Sequence, residues 1–292
     1  MDAKEFYKCY FNTPAFEISD SLSSMKNSYV RSLIEEEKFI YKYIAFDDNI
    51  QLNKSKLKTF LDDEIWCSPY YVFYENDSRE FEILYNTTSV NEISDFGAGR
   101  VNDFVERVKL STCLTSFAIR PSEEMWNQYT NFGKGFCIKY SVWDTNYLFP
   151  VLYDNKDYYD FTHDIISTLD MLKKNPSLIT VNNVHFRRFA ELPYLLKNNG
   201  ENNQKDYRYE NEIRLLIETP SKFSPVNNAE VSYLKNHIFP GFNLPIRSAG
   251  ISPIEIILDI NTCEYREELL HGAKEKKVLC NFQIIFFTLR SF

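Results

Sequence analysis

"DYRYENEIRLLIE", residues 206 to 218, sets Glu210 and Glu212 two positions apart, between Arg208 and Arg214 and just ahead of an apolar run. Its reading decides what the last third of the chain is built on. As a strand over 207–217, alternation puts Arg208, Glu210, Glu212 and Arg214 on one face and Tyr209, Asn211, Ile213, Leu215 and Ile217 on the other. As a helix, Arg208 with Glu212 and Glu210 with Arg214 become i,i+4 pairs worth only about 0.2–0.5 kcal/mol each. The β-branched residues of "IRLLIE" and the turn residues beside it favour the strand, although a short apolar run is ambiguous by pattern alone. On chemistry alone such a pair is more often a solvated charge ladder than an active site.

Working outward, "KNNGENNQKD" (197–206) reads as a flexible polar loop, and residues 160–198 carry helical apolar spacing broken near Asn175 and Pro176. Beyond the quoted stretch lie a long Pro- and Asn-containing connection (219–250), a strand "IEIILDI", a helix around 263–276 and a closing strand in "CNFQIIFFTL". Toward the N-terminus, residues 20–39 pattern as a capped helix and "IYKYIAF" (40–46) as a strand. A helix follows over Lys54 to Asp63, then "EIWCSPYYVFY", where Pro69 limits a strand to about 64–68 or leaves it on an edge. Gly97 and Gly99 mark a loop before a short helix, and "KLSTCLTSF" (109–117) is a strand rich in small hydroxyls. Next, Pro121 and Ser122 start a helix with Trp126 and Tyr129 on one side, and Gly133 and Gly135 turn the chain into the strand "GFCIKY". "FPVLYD" is a further strand. The sum is one α+β domain over 1–292, with a mixed or antiparallel sheet, inserted helices and an N-terminal helical extension over 1–38.

With 292 residues, 44% hydrophobic and 16% aromatic, the chain can bury a sizeable core. A net charge of −8 excludes a broadly basic nucleic-acid surface but not a local patch, for which Lys134 and Lys139, or Arg187 and Arg188, are candidates. Six cysteines stand singly with no C-x-x-C pair, as thiols of a reducing compartment do. His163, His185, His237 and His271 fall in no metal-binding frame, and no metal is predicted. Neither a secretory leader nor a run of about 20 apolar residues is present, so a cytoplasmic protein with no membrane partner is expected. No G-x-G-x-x-G or G-x-x-x-x-G-K-[ST] occurs, which removes the Rossmann and P-loop ways of holding a nucleotide.

Taken together, "IYKY", "IWCSP", "CLTSF", "MWNQYTNFGKGFCIKYS", "YENEIRLLIE" and "IEIILD" resemble, in order from about residue 38 to the end, the widespread bacterial family known as domain of unknown function 2971. Met125-Trp126 with Tyr129, Gly135, Cys137 and Ile138 is its most specific part; Tyr209-Glu210-x-Glu212-x-Arg214 is next. The match departs where an N-D-P-F-E-like segment would follow "IWCSP", since "YYVFYENDSREFE" stands there.

The resemblance implies an arrangement similar to the split sheet of ADP-ribosyltransferases, with a basic residue, a Ser/Thr cluster and a Glu-x-Glu on successive strands around NAD. Those positions are Lys42; Ser111, Thr112, Thr115 and Ser116; and Glu210 with Glu212. Glu212 would stabilise the positive charge that develops at the anomeric carbon, and Glu210 would orient or deprotonate the nucleophile. Lys42 would hold the diphosphate and Ser116 the ribose or the carboxylate. Tyr43, Trp126 or Tyr129 would stack on a ring, and Arg214 would set a glutamate or touch phosphate.

Each residue also has a plain reading: Trp126 and Tyr129 as a core stripe, Lys42 as a solvated strand end, the hydroxyls as backbone partners. The expected activity is a toxin or antiviral effector that transfers ADP-ribose from NAD to protein, RNA or DNA and is silenced by an inhibitor protein. Alternatives are an NAD glycohydrolase, a non-catalytic binding or regulatory domain, and, less favoured, a metal-dependent nuclease using Asp62, Asp63 and Glu64.

Overall fold

The computed structural model describes residues 1–12, 19–34, 38–69, 72–73, 112–153, 195–197, 206–218, 241–259 and 263–283. They form five α-helices, nine strands in one open mixed sheet and a separate two-stranded ladder, an α+β fold.

Apolar alternation makes β1 (Phe39–Ile44) the middle of the sheet: Ile40 faces the main core, while Tyr41 and Tyr43 face the opposite side. β4 (Phe136–Val142) runs antiparallel to β1 through six registered residues, from Phe39↔Ser141 to Ile44↔Phe136. Gly135 opens this pairing, because a Cβ there would sit 1.9 Å from the Ile44 carbonyl oxygen. β10 (Ile251–Asp259) pairs with β4, and β11 (Leu279–Gln283) closes that side in parallel with β10.

On the other side of β1 the sheet forks at β3 (Thr112–Ala118). One edge of β3 pairs along its whole length with β8 (Glu212–Glu218), which in turn holds β5 (Leu148–Pro150). Two strands share the other edge: β1 meets it at Ala118, while β2 (Glu64–Pro69) meets it at Leu114 and Cys113. β9 (Phe242–Pro245) then pairs with β2. β2 therefore ends at Pro69, one residue beyond the expected limit; the strand has neighbours on both sides, but the β9 pairing stops at Cys67, so the proline itself is paired only with Cys113 of β3.

α1 (Ala3–Asn12) and α2 (Ser19–Ile34) brace β5: Tyr7 Oη donates to the Pro150 carbonyl at 2.5 Å. The buried Lys26 ammonium donates to the carbonyls of Thr145, Asn146 and Leu148, which satisfy a charge that burial would otherwise penalise. α3 (Ile50–Leu61) begins four residues before the expected Lys54, because the Asn49 side chain caps it by accepting from Leu52 N. α4 (Glu123–Tyr129) is capped by Ser122, which accepts from Met125 N at 3.1 Å, and it covers the face of the sheet carrying Tyr41, Ala118 and Cys137. α5 is Arg266–Lys276.

Three further expectations are corrected. Leu196 and Lys197 are not helical and do not begin a polar loop; they form β7, parallel to β6 (Leu152–Tyr153), with Lys197 buried. The connection over 219–250 contains β9 and a 3₁₀ turn, Ile246–Ala249. Finally, the strand expected over 207–217 starts only at Glu212, after a 3₁₀ turn at Arg208–Glu210. Other readings that fall between 74 and 111, between 154 and 194 and beyond 283 lie outside the described residues.

Candidate functional site

Asn211 explains why the carboxylates converge although they do not share a strand. It takes the left-handed conformation (φ 41°, ψ 56°), which asparagine tolerates better than most residues, and so closes the 3₁₀ turn and launches β8. Its carbonyl accepts from Ile119 N at 2.9 Å, which locks this corner to the end of β3. Glu210 thus reaches the same spot as Glu212 from a turn rather than by alternation.

The two carboxylates meet at Lys197. Its Nζ contacts Glu210 Oε2 and lies 3.0 Å from Glu212 Oε2. From the other side Arg214 grips Glu212 in two places, Nε to Oε1 at 2.7 Å and the guanidinium to Oε2 at 3.2 Å. Tyr129 Oη donates to Glu210 Oε1, and Glu212 N donates to Tyr153 Oη at 2.7 Å. All four charged side chains are buried: Glu210 is 2% exposed, Glu212 4%, Arg214 1% and Lys197 9%. Two cations balance two anions, and each carboxylate oxygen has a partner.

Environment drives the two acids apart. Burial pushes the Glu212 carboxyl up, but Arg214 and Lys197 outweigh it and hold the group well below the usual carboxylate range. For Glu210, burial dominates over Lys197, and the neighbouring Glu212 charge adds to it, so its carboxyl titrates above the ordinary value. Neighbouring acids split in this way suit one fixed anion and one proton carrier.

Strand alternation sorts the remaining candidates onto opposite faces. Ser116 and Ala118 stand across from Arg214 and Glu212, so these four share a face. From that position Ser116 adds to Arg214 and Lys197 in favouring the ionised Glu212 carboxylate. Tyr43 and Trp126 lie on that face, their rings edge-on at 5.9 Å. Trp126 is buried, and its indole N–H has no partner among the described residues, so stacking on a free ligand ring is not available to it as folded. Tyr129 is 36% exposed, so the two aromatics expected on one helical side separate into a core residue and a rim residue. Tyr209 Oη donates to Gln128 Oε1 at 2.6 Å, tying the 3₁₀ turn to α4.

Lys42 and Thr115 lie on the opposite, core-facing side. Lys42 Nζ donates to Thr115 Oγ1 at 2.8 Å and to the Ser116 carbonyl at 3.0 Å. Ser116 stands two residues from Leu114, where β2 attaches, and two from Ala118, where β1 attaches, so its carbonyl faces the fork. The ammonium fills the place of a missing strand partner there, next to Cys67. Burial lowers the Lys42 pKa to about 8 and raises the Cys67 thiol to about 12. Lys42 is therefore not a solvated strand end, and it reaches the acid pair only through Ser116 and at longer range.

Among the basic candidates, Lys139 is paired with Glu255 at 3.6 Å and lies over the Phe39 ring at 4.1 Å, so it forms no free patch with Lys134; Arg187 and Arg188 lie outside the described residues. Ser111 lies outside as well, and Thr112 is buried at the start of β3. Asp62 pairs with Lys58 and Asp63 with Lys276, and no cluster of three His, Cys, Asp or Glu side chains occurs among the described residues. Lys197 and Tyr153 were missed by sequence reasoning. No motif marks either; only the β6–β7 pairing, Tyr153↔Lys197, brings both to the carboxylates.

Fold and site together define an α+β protein in which β8 of an open mixed sheet, the 3₁₀ turn before it and the separate β6–β7 ladder bring together a buried Glu–Lys–Glu–Arg quartet. No protein-family model, curated protein or solved structure matches the chain. The resemblance to domain of unknown function 2971 expected from the sequence strings has no support in these comparisons. No helix among the described residues is long and apolar enough to cross a membrane.

Proposed function

We propose that the quartet is the catalytic centre of an ADP-ribosyltransferase-like enzyme that cleaves NAD at the nicotinamide–ribose bond and passes ADP-ribose to a macromolecule, protein or nucleic acid. The observation that carries this reading is the acid pair itself: Glu212 held ionised and Glu210 raised, at the Ser116 end of a forked sheet. The order of Lys42, Ser116 and Glu212 along three strands, with Glu210 on the turn before the third, resembles the arrangement of that enzyme class, and the fork at β3 suits its split sheet. A cytoplasmic effector restrained by an inhibitor protein is the cellular role that fits this chemistry.

In this mechanism Glu212 supplies fixed negative charge where the ribose becomes cationic, so it stabilises the transition state more than the bound substrate. Arg214 and Ser116 hold its orientation. Glu210, with its raised proton affinity, takes the proton from the attacking acceptor, and Tyr129 Oη positions that carboxylate. Lys42 acts through Ser116 by bracing the fork. With water as acceptor the same centre becomes an NAD glycohydrolase.

A second reading is favoured by one specific observation, the full pairing of all four carboxylate oxygens: the quartet is a structural ion network in a non-catalytic domain. Nicotinamide release from NAD, with and without cell extract, separates the two. Wild-type turnover is expected to fall about 10²–10³-fold in Glu212→Gln. Label transferred to protein, RNA or DNA identifies the acceptor, and nicotinamide without label identifies water. No release by a folded wild type under any of these conditions leaves the structural reading.

A further inference from the structure

Lys197 is the part of the quartet that the proposed chemistry does not use. Its ammonium stands 3.0 Å from Glu212 Oε2 and touches Glu210 Oε2, while the Tyr207 ring lies 4.7 Å below it. Two carboxylates and an aromatic face around one organic cation make a site for positive charge. The substrate of the proposed reaction presents such a charge, on the pyridinium ring before cleavage and at the anomeric carbon during it. Both need the carboxylate that Lys197 already neutralises.

Resting on the NAD-cleaving reading, we propose that Lys197 is an autoinhibitory occupant of the site, an internal cation that a cationic substrate group must displace before Glu212 and Glu210 can act. Lys197 is not carried by the main sheet. It enters on β7, which joins β6 through the two-residue ladder Leu152↔Leu196 and Tyr153↔Lys197 and the bond from Leu152 N to the Leu195 carbonyl at 2.7 Å. A ladder of two residues opens at far lower cost than a seven-residue pairing such as β3–β8. Glu212 and Arg214, by contrast, are fixed on β8, and Glu210 keeps its hydrogen bond from Tyr129 Oη, so withdrawal of the β7 side chain leaves the acids in place. Once Lys197 is withdrawn, Glu210 Oε2 and Glu212 Oε2 each lose a cationic contact, which a cationic substrate group can replace. Any partner or covalent change that draws β7 away then switches the enzyme on without touching its catalytic strand.

The test compares wild type, Lys197→Met and Lys197→Arg for nicotinamide release across NAD concentrations, with 1-methylnicotinamide, a fixed pyridinium cation, as the probe of binding by tyrosine and tryptophan fluorescence. Substrate that competes with an internal occupant binds with affinity reduced by the closed fraction, so Lys197→Met is expected to lower KM about tenfold. It should also bind 1-methylnicotinamide more tightly than wild type, while Lys197→Arg, which keeps the charge, gains neither. Adding Glu212→Gln to Lys197→Met should abolish the gain in probe binding. A folded Lys197→Met with unchanged or higher KM and no gain in probe affinity overturns the proposal. Should that variant not fold, Lys197→Gln keeps a donor between the carboxylates without the charge and is read in the same two ways. Absence of nicotinamide release from every variant defeats the NAD-cleaving reading, and the probe affinities then decide the cation site by themselves.

Discussion

Within thirteen residues the chain makes nearly the same ion pair twice. Asp206 precedes Arg208 and Glu212 precedes Arg214 by the same two positions, and both guanidinium groups grip their carboxylates through Nε and a terminal nitrogen. The first pair stands in solvent, with its side chains 44% and 64% exposed; the second is at 4% and 1%. Solvent screens the first and allows its side chains to leave at little cost, so its contribution is small. Burial makes the second pair obligatory, because either group left alone is a desolvated charge. Equal geometry therefore has unequal consequences, and the surroundings set the difference.

Removing one partner of the buried pair is the most severe way to break this comparison. Arg214→Leu leaves the Glu212 carboxylate to Lys197 and should destabilise the fold by about 3–5 kcal/mol, read as the shift in urea midpoint at constant slope.

Acidification sharpens it next. Glu212 has a folded pKa below its unfolded value, so its contribution is present at neutral pH and is lost as pH falls from about 4.3, the free glutamate value, toward the folded one. The stability gap between wild type and Glu212→Gln should be wide at pH 7 and shrink steadily below pH of about 4. Glu210 runs the other way: with a raised folded pKa its ionised form is the costly one, so Glu210→Gln should lose less than Glu212→Gln at pH 7. Equal losses for the two variants at that pH would contradict the split between the acids.

The exposed pair gives the smallest effect. Asp206→Asn should change stability by less than about 1 kcal/mol, with added salt erasing most of the change. A loss as large as that of Arg214→Leu would show that exposure does not rank these pairs.

The same contrast shows how far local pattern reaches. β1, β4 and α4 were legible because alternation, a serine N-cap and a glycine turn each act within a few residues. The acid pair was legible as a pair, but its strand geometry was misread: Asn211 in the left-handed region breaks the alternation that "YENEIR" suggests. Lys42 and Thr115 were grouped with Ser116, Glu212 and Tyr43, yet neighbouring residues on a strand point to opposite faces, and the sheet divides the group. Alternation along β1 and β3 is enough to predict that division, because Lys42 and Tyr43 are adjacent on one strand and Thr115 and Ser116 on the other.

By itself the sequence determined an α+β chain with a large aromatic core, the positions of its main strands and a Glu-x-Glu beside an arginine. Those features follow from local periodicity and capping, which need no long-range contact. Only the tertiary structure decided that β3 forks, that Lys42 fills the fork, and that Lys197 and Tyr153 close on the two glutamates from a separate ladder. The physical reason is that charge pairing inside a protein depends on burial and on distance in space, and neither is written in the spacing of residues along the chain.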